Sequence, residues 1–418
     1  MSSFDSLFYE QYSSVECLNH YQPDGFHPVH LGDTFNDGRY KVVHKLGNGT
    51  YATVWLVLDS LTSEYASLKI LMADFSFESQ EACVLSRLQE GPGRRHVIQL
   101  IDHFEHHGPN GTHECLVTEI SGPNLSVYLC GLYPDEIFPP EVAKRFIAQV
   151  SLGVEYLHSR GVVHGDLHTR NMLLHSDKIQ AAFKEGPLEK YLGKPLIRKL
   201  EIRGDPDAPV PSSPHVPAYC VIQPDPTPLL QLCFADPSHI RIKICDFSES
   251  HVVDPSADYK TQPKILFSPH IFRAPEGLIP NARDTQAISS FASDVWCLAV
   301  VYHLMLTGNA VFCSSDLEDD ILCEMVLALG PLPEPLWSGW PNRKQFFDDH
   351  GNWIPMYFPD TFSGVIPKIY DNELKDLEEE RLFGSLLRDM VDYNPELRLT
   401  IGEVMESDWF VKYCSAYL

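Results

Sequence analysis

His164-Gly165-Asp166-Leu167-His168-Thr169-Arg170-Asn171, followed far downstream by Ile244-Cys245-Asp246-Phe247-Ser248, is the stretch on which the reading of this chain turns. It sets out a carboxylate, an amide and a second carboxylate in the order that phosphoryl transfer from Mg-ATP requires. Asp166 can hold an attacking hydroxyl in line and accept its proton, while Asn171 and Asp246 offer hard oxygen ligands to the magnesium ions that neutralise phosphate charge. Each short motif alone is common. Their order, and the pieces on either side, carry the weight.

Upstream, Leu46-Gly47-Asn48-Gly49-Thr50-Tyr51-Ala52-Thr53-Val54 joins two β-rich runs, residues 40–46 and 54–58. Glycine at such a turn lets backbone N–H groups approach phosphates with no side chain between, which makes the segment a phosphate lid. Ala52 stands where the usual pattern has a third glycine. A third run, residues 65–71, carries Lys69 among Ala66, Leu68 and Ile70. An ammonium in an apolar strand needs an anion. Phosphate and Glu81 are the candidates, and Glu78, one turn earlier, is the alternative to Glu81. The spacing of Glu78, Glu81, Leu85 and Leu88 predicts a helix, and strands are expected around residues 97–104 and 114–120.

After Gly122-Pro123 the pattern turns helical. Residues 141–157 read as a buried helix leading into the catalytic segment, and helical patterns return from Ser293 onward. Between them, eleven of the chain's 32 prolines fall in residues 176–239, so this window reads as an irregular insertion with little packed core of its own. Ala274-Pro275-Glu276, Asp294 and Arg398 form a structural series. Glu276 and Arg398 can make a buried bidentate pair, and Asp294 can tie the start of a buried helix to the catalytic loop backbone. His164 reads as a buried histidine bonded to backbone near Asp246.

The whole chain bounds what this chemistry can serve. At 418 residues with 44% hydrophobic content it can bury the cores of two lobes. A net charge of −25 repels nucleic acid and anionic membranes and favours a cationic partner. The eleven cysteines show no CxxC pair, which argues against a disulfide framework or a zinc site and for a reducing compartment. The first twenty residues do not read as a secretory or mitochondrial signal, and the longest apolar stretch, residues 295–305, is too short to span a bilayer.

With the lid, Lys69, Glu81, Asp166, Asn171, Asp246 and Ala274-Pro275-Glu276 in order, the chain resembles the eukaryotic protein kinases over roughly residues 40–413. Residues 21–33, 97–104 (Val-Ile-Gln-Leu-Ile-Asp-His-Phe) and 110–117 (Asn-Gly-Thr-His-Glu-Cys-Leu-Val) look like the serine/arginine-rich protein-specific kinases, as does the long insertion before Asp246. That resemblance implies an α+β, two-lobed protein-kinase-like fold: an N-terminal extension (1–36), a small antiparallel β-rich N-lobe (37–120) and a mainly helical C-lobe (121–418) containing the insertion. It implies ATP and Mg2+ as cofactors, phosphorylation of Ser or Thr in basic arginine/serine-rich proteins, and a cytoplasmic and nuclear distribution. No direct nucleic-acid or membrane partner is expected. By analogy Thr118 is the gatekeeper, and Glu119 to Ser121 form the hinge that pairs with adenine. Asp316, Glu318, Asp319 and Asp320 lie where the family builds part of a docking surface, though they equally read as a solvated helix start.

Three departures qualify the resemblance. Gly165 replaces the arginine that in many kinases answers a phosphorylated activation loop, so activity is not expected to await such a switch. His168 stands where protein kinases carry a lysine that touches the transferred phosphate, and Ser248 replaces a glycine. The His-Gly-Asp-Leu-His segment also resembles the aminoglycoside and choline phosphotransferases, which makes a small-molecule acceptor the second enzymatic reading. A nucleotide-binding pseudokinase scaffold is the rival from another class.

Overall fold

The computed structural model describes residues 9, 15–77, 79–126, 138–205, 207–235, 239–253, 268–279, 289–312, 317–348, 350–354 and 376–418. Of the residues singled out above, Glu78 and Asp316 lie outside these. The chain divides into two compact units, the first made of Met1–Gln89, Ile98–Pro123 and Leu174–Ile240, the second of Glu90–Val97, Asn124–Leu173 and Arg241–Leu418.

The first unit is built on a six-stranded antiparallel sheet: β1 (Thr34–Phe35), β2 (Tyr40–Asn48), β3 (Ala52–Asp59), β4 (Glu64–Leu71), β5 (Leu100–Gly108) and β6 (Gly111–Glu119), in the order β1-β2-β3-β4-β6-β5. Alternation of side chains across the pleat sends Ala66, Leu68 and Ile70 of β4 into one core with Tyr40, Val42, Trp55, Val57, Cys115 and Val117. Fully burying such a side chain contributes about 1.5–3 kcal/mol. Two short helices, Ala73–Ser76 and Glu81–Arg87, follow β4 where the sequence predicts one.

The N-terminal extension is part of this unit. Leu18, Tyr21 and Phe26 are buried with Met72, and β1 pairs with β2. Glu16 takes the ammonium of Lys45 and the hydroxyl of Tyr21, and all three side chains are buried.

The insertion departs from its expected character. The sequence pattern assigns it to the second lobe with little packed core, whereas in the structure it clusters with the first unit. It carries helices Lys178–Glu185, Glu189–Leu192 and Thr227–Phe234 and the paired strands Ile197–Arg198 and Cys220–Val221. Ile179, Phe183, Leu192, Leu229, Leu230 and Cys233 are buried, and Val221 joins the core under the sheet. Gln180 exchanges two hydrogen bonds with the backbone of Tyr65, at 3.1 and 2.9 Å. The prolines interrupt regular backbone without preventing burial of the side chains between them.

The second unit is mainly helical. Helix Pro140–Ser159 starts on a proline at its first position, where the missing N–H costs nothing. At its centre Gly153 lets the strand Arg241–Ile244 approach closely: an added Cβ would lie 2.7 Å from Ile244 Cδ1. Helix Phe291–Thr307 opens with a Ser290/Ser293 capping box and ends at Gly308 in the left-handed region, φ 74°. Helices Glu318–Leu329, Leu377–Met390, Ile401–Glu406 and Asp408–Tyr413 complete the main helical framework among the described residues. Among those residues no helix is long and apolar enough to cross a membrane.

Candidate functional site

In the first unit the lid residues Leu46–Val54 span the end of β2, the turn and the start of β3. Gly47 pairs with Val54 and Asn48 with Thr53, and Gly49 N–H donates to Ala52 O at 2.8 Å. No atom lies within 4 Å of where a Cβ on Gly49 would sit, so backbone there is open to a ligand. Tyr51 at the tip stacks on Phe75, with ring centroids 3.9 Å apart, and its carbonyl accepts from Met72 N–H at 2.9 Å. This anchor was not read from the sequence; an exposed aromatic on the short helix after β4 was its only trace.

Lys69 on β4 meets Glu81 at 2.7 Å, with Glu81 buried on the helix Glu81–Arg87. Glu81 thus makes an ion pair with Lys69, and Glu78, the alternative, lies outside the described residues. Glu119 ends β6 opposite Ala66, and its Oε1 accepts from Gln99 N–H at 2.9 Å. Ser121 Oγ lies 3.4 Å from His175 Nδ1.

In the second unit the catalytic-loop residues come together. Asn171 Nδ2 donates to Asp166 twice, at 3.0 Å to the backbone carbonyl and 3.0 Å to Oδ2. His168 Nε2 lies 3.4 Å from the same Oδ2. Asp166 Oδ1 is shielded from solvent and has no hydrogen-bond partner. Cys245 N–H donates to Asn171 O at 2.9 Å, which brings Asp246 to the loop. Asp246 itself has φ 63°, a conformation uncommon for a residue with a side chain and concentrated at functional positions.

His164 holds the two motifs in register. Its Nδ1 accepts from Asp166 N–H at 3.2 Å, so Nε2 carries the proton and donates to Cys245 O at 3.1 Å. Burial pushes the imidazole below its ordinary pKa, against the pull of the carboxylates of Asp294, Asp166 and Asp246. Asp294 anchors the loop from below: Oδ2 accepts from His164 N–H at 2.8 Å and His158 Nε2 at 3.0 Å, and Oδ1 accepts from Gly165 N–H at 2.9 Å. Burial alone would raise the Asp294 pKa; hydrogen bonding to His158, the charges of His158 and His164 and the Gly165 N–H outweigh it and lower it. Gly165 sits at φ 79°, where an added Cβ would come within 2.8 Å of Glu249 O.

Arg398 grips Glu276 with bonds of 2.9 and 3.2 Å, both side chains buried, and lies over the Trp296 ring. The acidic helix start is less free than its composition suggests. Both carboxylate oxygens of Asp319 are taken, by Trp340 Nε1 at 2.6 Å and Asn342 Nδ2 at 2.8 Å, and Glu318 pairs with Arg273 at 3.4 Å.

Comparison with known proteins agrees with this geometry. The profile of the protein kinase domain matches residues 40–183 and 233–410. The serine/threonine-protein kinase SRPK of Physarum polycephalum is 26% identical over 94% of this chain and 91% of its own length. SKY1, a serine/threonine-protein kinase of Saccharomyces cerevisiae, is 35% identical over 38% of this chain and 23% of its own length. The human SRSF protein kinase 3 is 35% identical over 37% of this chain and 28% of its own length. The chain thus spans less than a third of the latter two relatives. The crystal structure of the PF14_0431 kinase domain superposes with a TM-score of 0.60 over 91% of this chain and 98% of its own, at 18% identity, which speaks for the fold alone. The chain belongs to the protein kinase family.

Proposed function

We propose that this protein transfers the γ-phosphoryl group of ATP to serine or threonine in basic, arginine/serine-rich proteins. The observation that carries the reading is the Asp166 carboxylate, held by Asn171 on Oδ2 with Oδ1 unpartnered, on a loop whose backbone is fixed by Asp294. A desolvated acceptor of this kind is ready for a hydroxyl donor.

Each unit supplies its own part. In the first, the backbone of residues 46–54 covers phosphates, Lys69, oriented by Glu81, positions the α and β phosphates, and Glu119 and Ser121 belong to the adenine-pairing hinge. In the second, Asn171 and Asp246 would hold magnesium. The residues fit that ion: the Asn171 amide nitrogen is spent on Asp166, which leaves its Oδ1, a hard oxygen, for a cation. Among the described residues no group of three or more His, Cys, Asp or Glu is placed to hold a metal. A magnesium ion there would complete its shell with phosphate and water, as it does in phosphoryl-transfer sites, and would neutralise charge on the phosphates.

The acceptor class rests on the SRPK and SRSF protein kinase relatives and on the net charge of −25, which attracts arginine-rich chains. A cytoplasmic and nuclear distribution goes with this reading. The decisive test is labelled ATP with Arg-Ser peptides, an aminoglycoside and choline as acceptors. Asp166→Ala should lose transfer by about 10³-fold or more while still binding ATP. Near-normal turnover in that variant would show that another group serves. Nucleotide binding with transfer to no acceptor would make the protein a scaffold.

A further inference from the structure

Asp166 offers its two oxygens unequally, and His168 is one reason. The His168 ring is buried at the head of the 3-10 turn Thr169–Asn171, flanked by Phe272 at 5.8 Å, and its Nδ1 accepts from Arg170 N–H at 3.1 Å. An imidazole whose Nδ1 accepts must carry its neutral-form proton on Nε2. That nitrogen lies 3.4 Å from Asp166 Oδ2, the oxygen that already takes Asn171 Nδ2 at 3.0 Å. Asn171 thus donates to Oδ2 and the His168 Nε2–H approaches the same oxygen at a distance short of a formed hydrogen bond, while Oδ1, buried and unpartnered, keeps its lone pairs unused.

We infer that His168 is a positioning residue for Asp166: as a neutral N–H donor it holds the carboxylate so that Oδ1 faces the acceptor hydroxyl, instead of supplying a cation to the transferred phosphate. The inference rests on the kinase reading above. In the step it serves, the hydroxyl oxygen bonds to the γ-phosphorus, the bond from that phosphorus to the β–γ bridging oxygen breaks with its electron pair leaving on ADP, and the hydroxyl proton passes to Asp166 Oδ1. The 3.4 Å contact is long for a hydrogen bond and is of the kind that tightens when substrate is bound.

Three variants at position 168 test this by steady-state kinetics with ATP and an Arg-Ser peptide. His168→Phe keeps the ring shape and removes the donor; kcat should fall about 10- to 100-fold, the range expected for a misplaced catalytic group, with KM for ATP unchanged. His168→Gln restores an uncharged N–H and should recover kcat to within about threefold of wild type. His168→Lys should give no gain. A lysine variant faster than wild type would assign the position to phosphate contact and overturn the inference, as would a glutamine variant as slow as phenylalanine. Should the phenylalanine variant fail to fold, the glutamine and lysine variants still decide. A fully active phenylalanine variant beside an inactive Asp166→Ala would sink this inference alone, whereas wild-type protein that phosphorylates no acceptor would sink it together with the kinase reading.

Discussion

Asp294 accepts from three donors, two of them backbone N–H groups of the catalytic loop that are buried and have no water to turn to. Leaving a buried donor unmet costs about 1–3 kcal/mol. Asp294→Ala should therefore cost about 3–5 kcal/mol in urea unfolding and lower kcat along with it; a loss under about 1 kcal/mol would mean the loop is held by other contacts. The tie made by Asp294 was legible in the sequence because few side chains can accept from two loop N–H groups at a fixed spacing. The partners of Asp319 were not, because Trp340 and Asn342 lie on the far side of a helix and a loop, and an acidic run looks the same whether its carboxylates are solvated or bonded.

Among the elements, the lid and the insertion teach opposite lessons. The turn at residues 47–49 was legible from its glycines, but what holds its tip was not: the Tyr51–Phe75 stack joins side chains separated by two whole strands. An aromatic pair contributes about 0.5–1.5 kcal/mol beyond its area. Freed of the stack, the loop loses more conformational entropy when it closes on nucleotide. Tyr51→Ala should accordingly weaken ATP binding about three- to tenfold in fluorescence titration. Unchanged affinity would show the stack to be incidental. The insertion misled because proline density reports broken backbone, whereas packing is decided by residues such as Phe183, Leu229 and Leu230, whose helices, at eight residues each, are too short to print a clear period.

Across the whole molecule, acid should weaken the first unit through a cluster of buried histidines. His27 packs edge-on to His106 and His113, with centroids at 4.5 and 5.2 Å. Burial, reinforced by the neighbouring imidazoles, pushes His27 down to about 3, and burial also lowers His106 and His113. Unfolded histidines bind protons near pH 6.5, the buried ones only at lower pH. The unfolded state thus holds more protons, and stability falls as pH drops below about 6.5, by up to about 1.4 kcal/mol per pH unit for each histidine affected. Between pH 6.5 and 5 the thermal midpoint of wild type should decline, and that of His27→Leu should decline less. Parallel declines would exonerate the cluster.

The buried pairing of Glu16 with Lys45 fixes where this protein can be cut. The match to the protein kinase domain begins at residue 40, which invites excision of a catalytic fragment from there. Such a fragment would strand the ammonium of Lys45 in a dry interior with its counter-ion amputated, at a cost of about 3–5 kcal/mol, a large part of what a domain has to spare. A fragment beginning at residue 40 should therefore be recovered insoluble, while one beginning at residue 9 should be recovered soluble. The smallest fragment that folds by itself should start well ahead of the kinase-domain match.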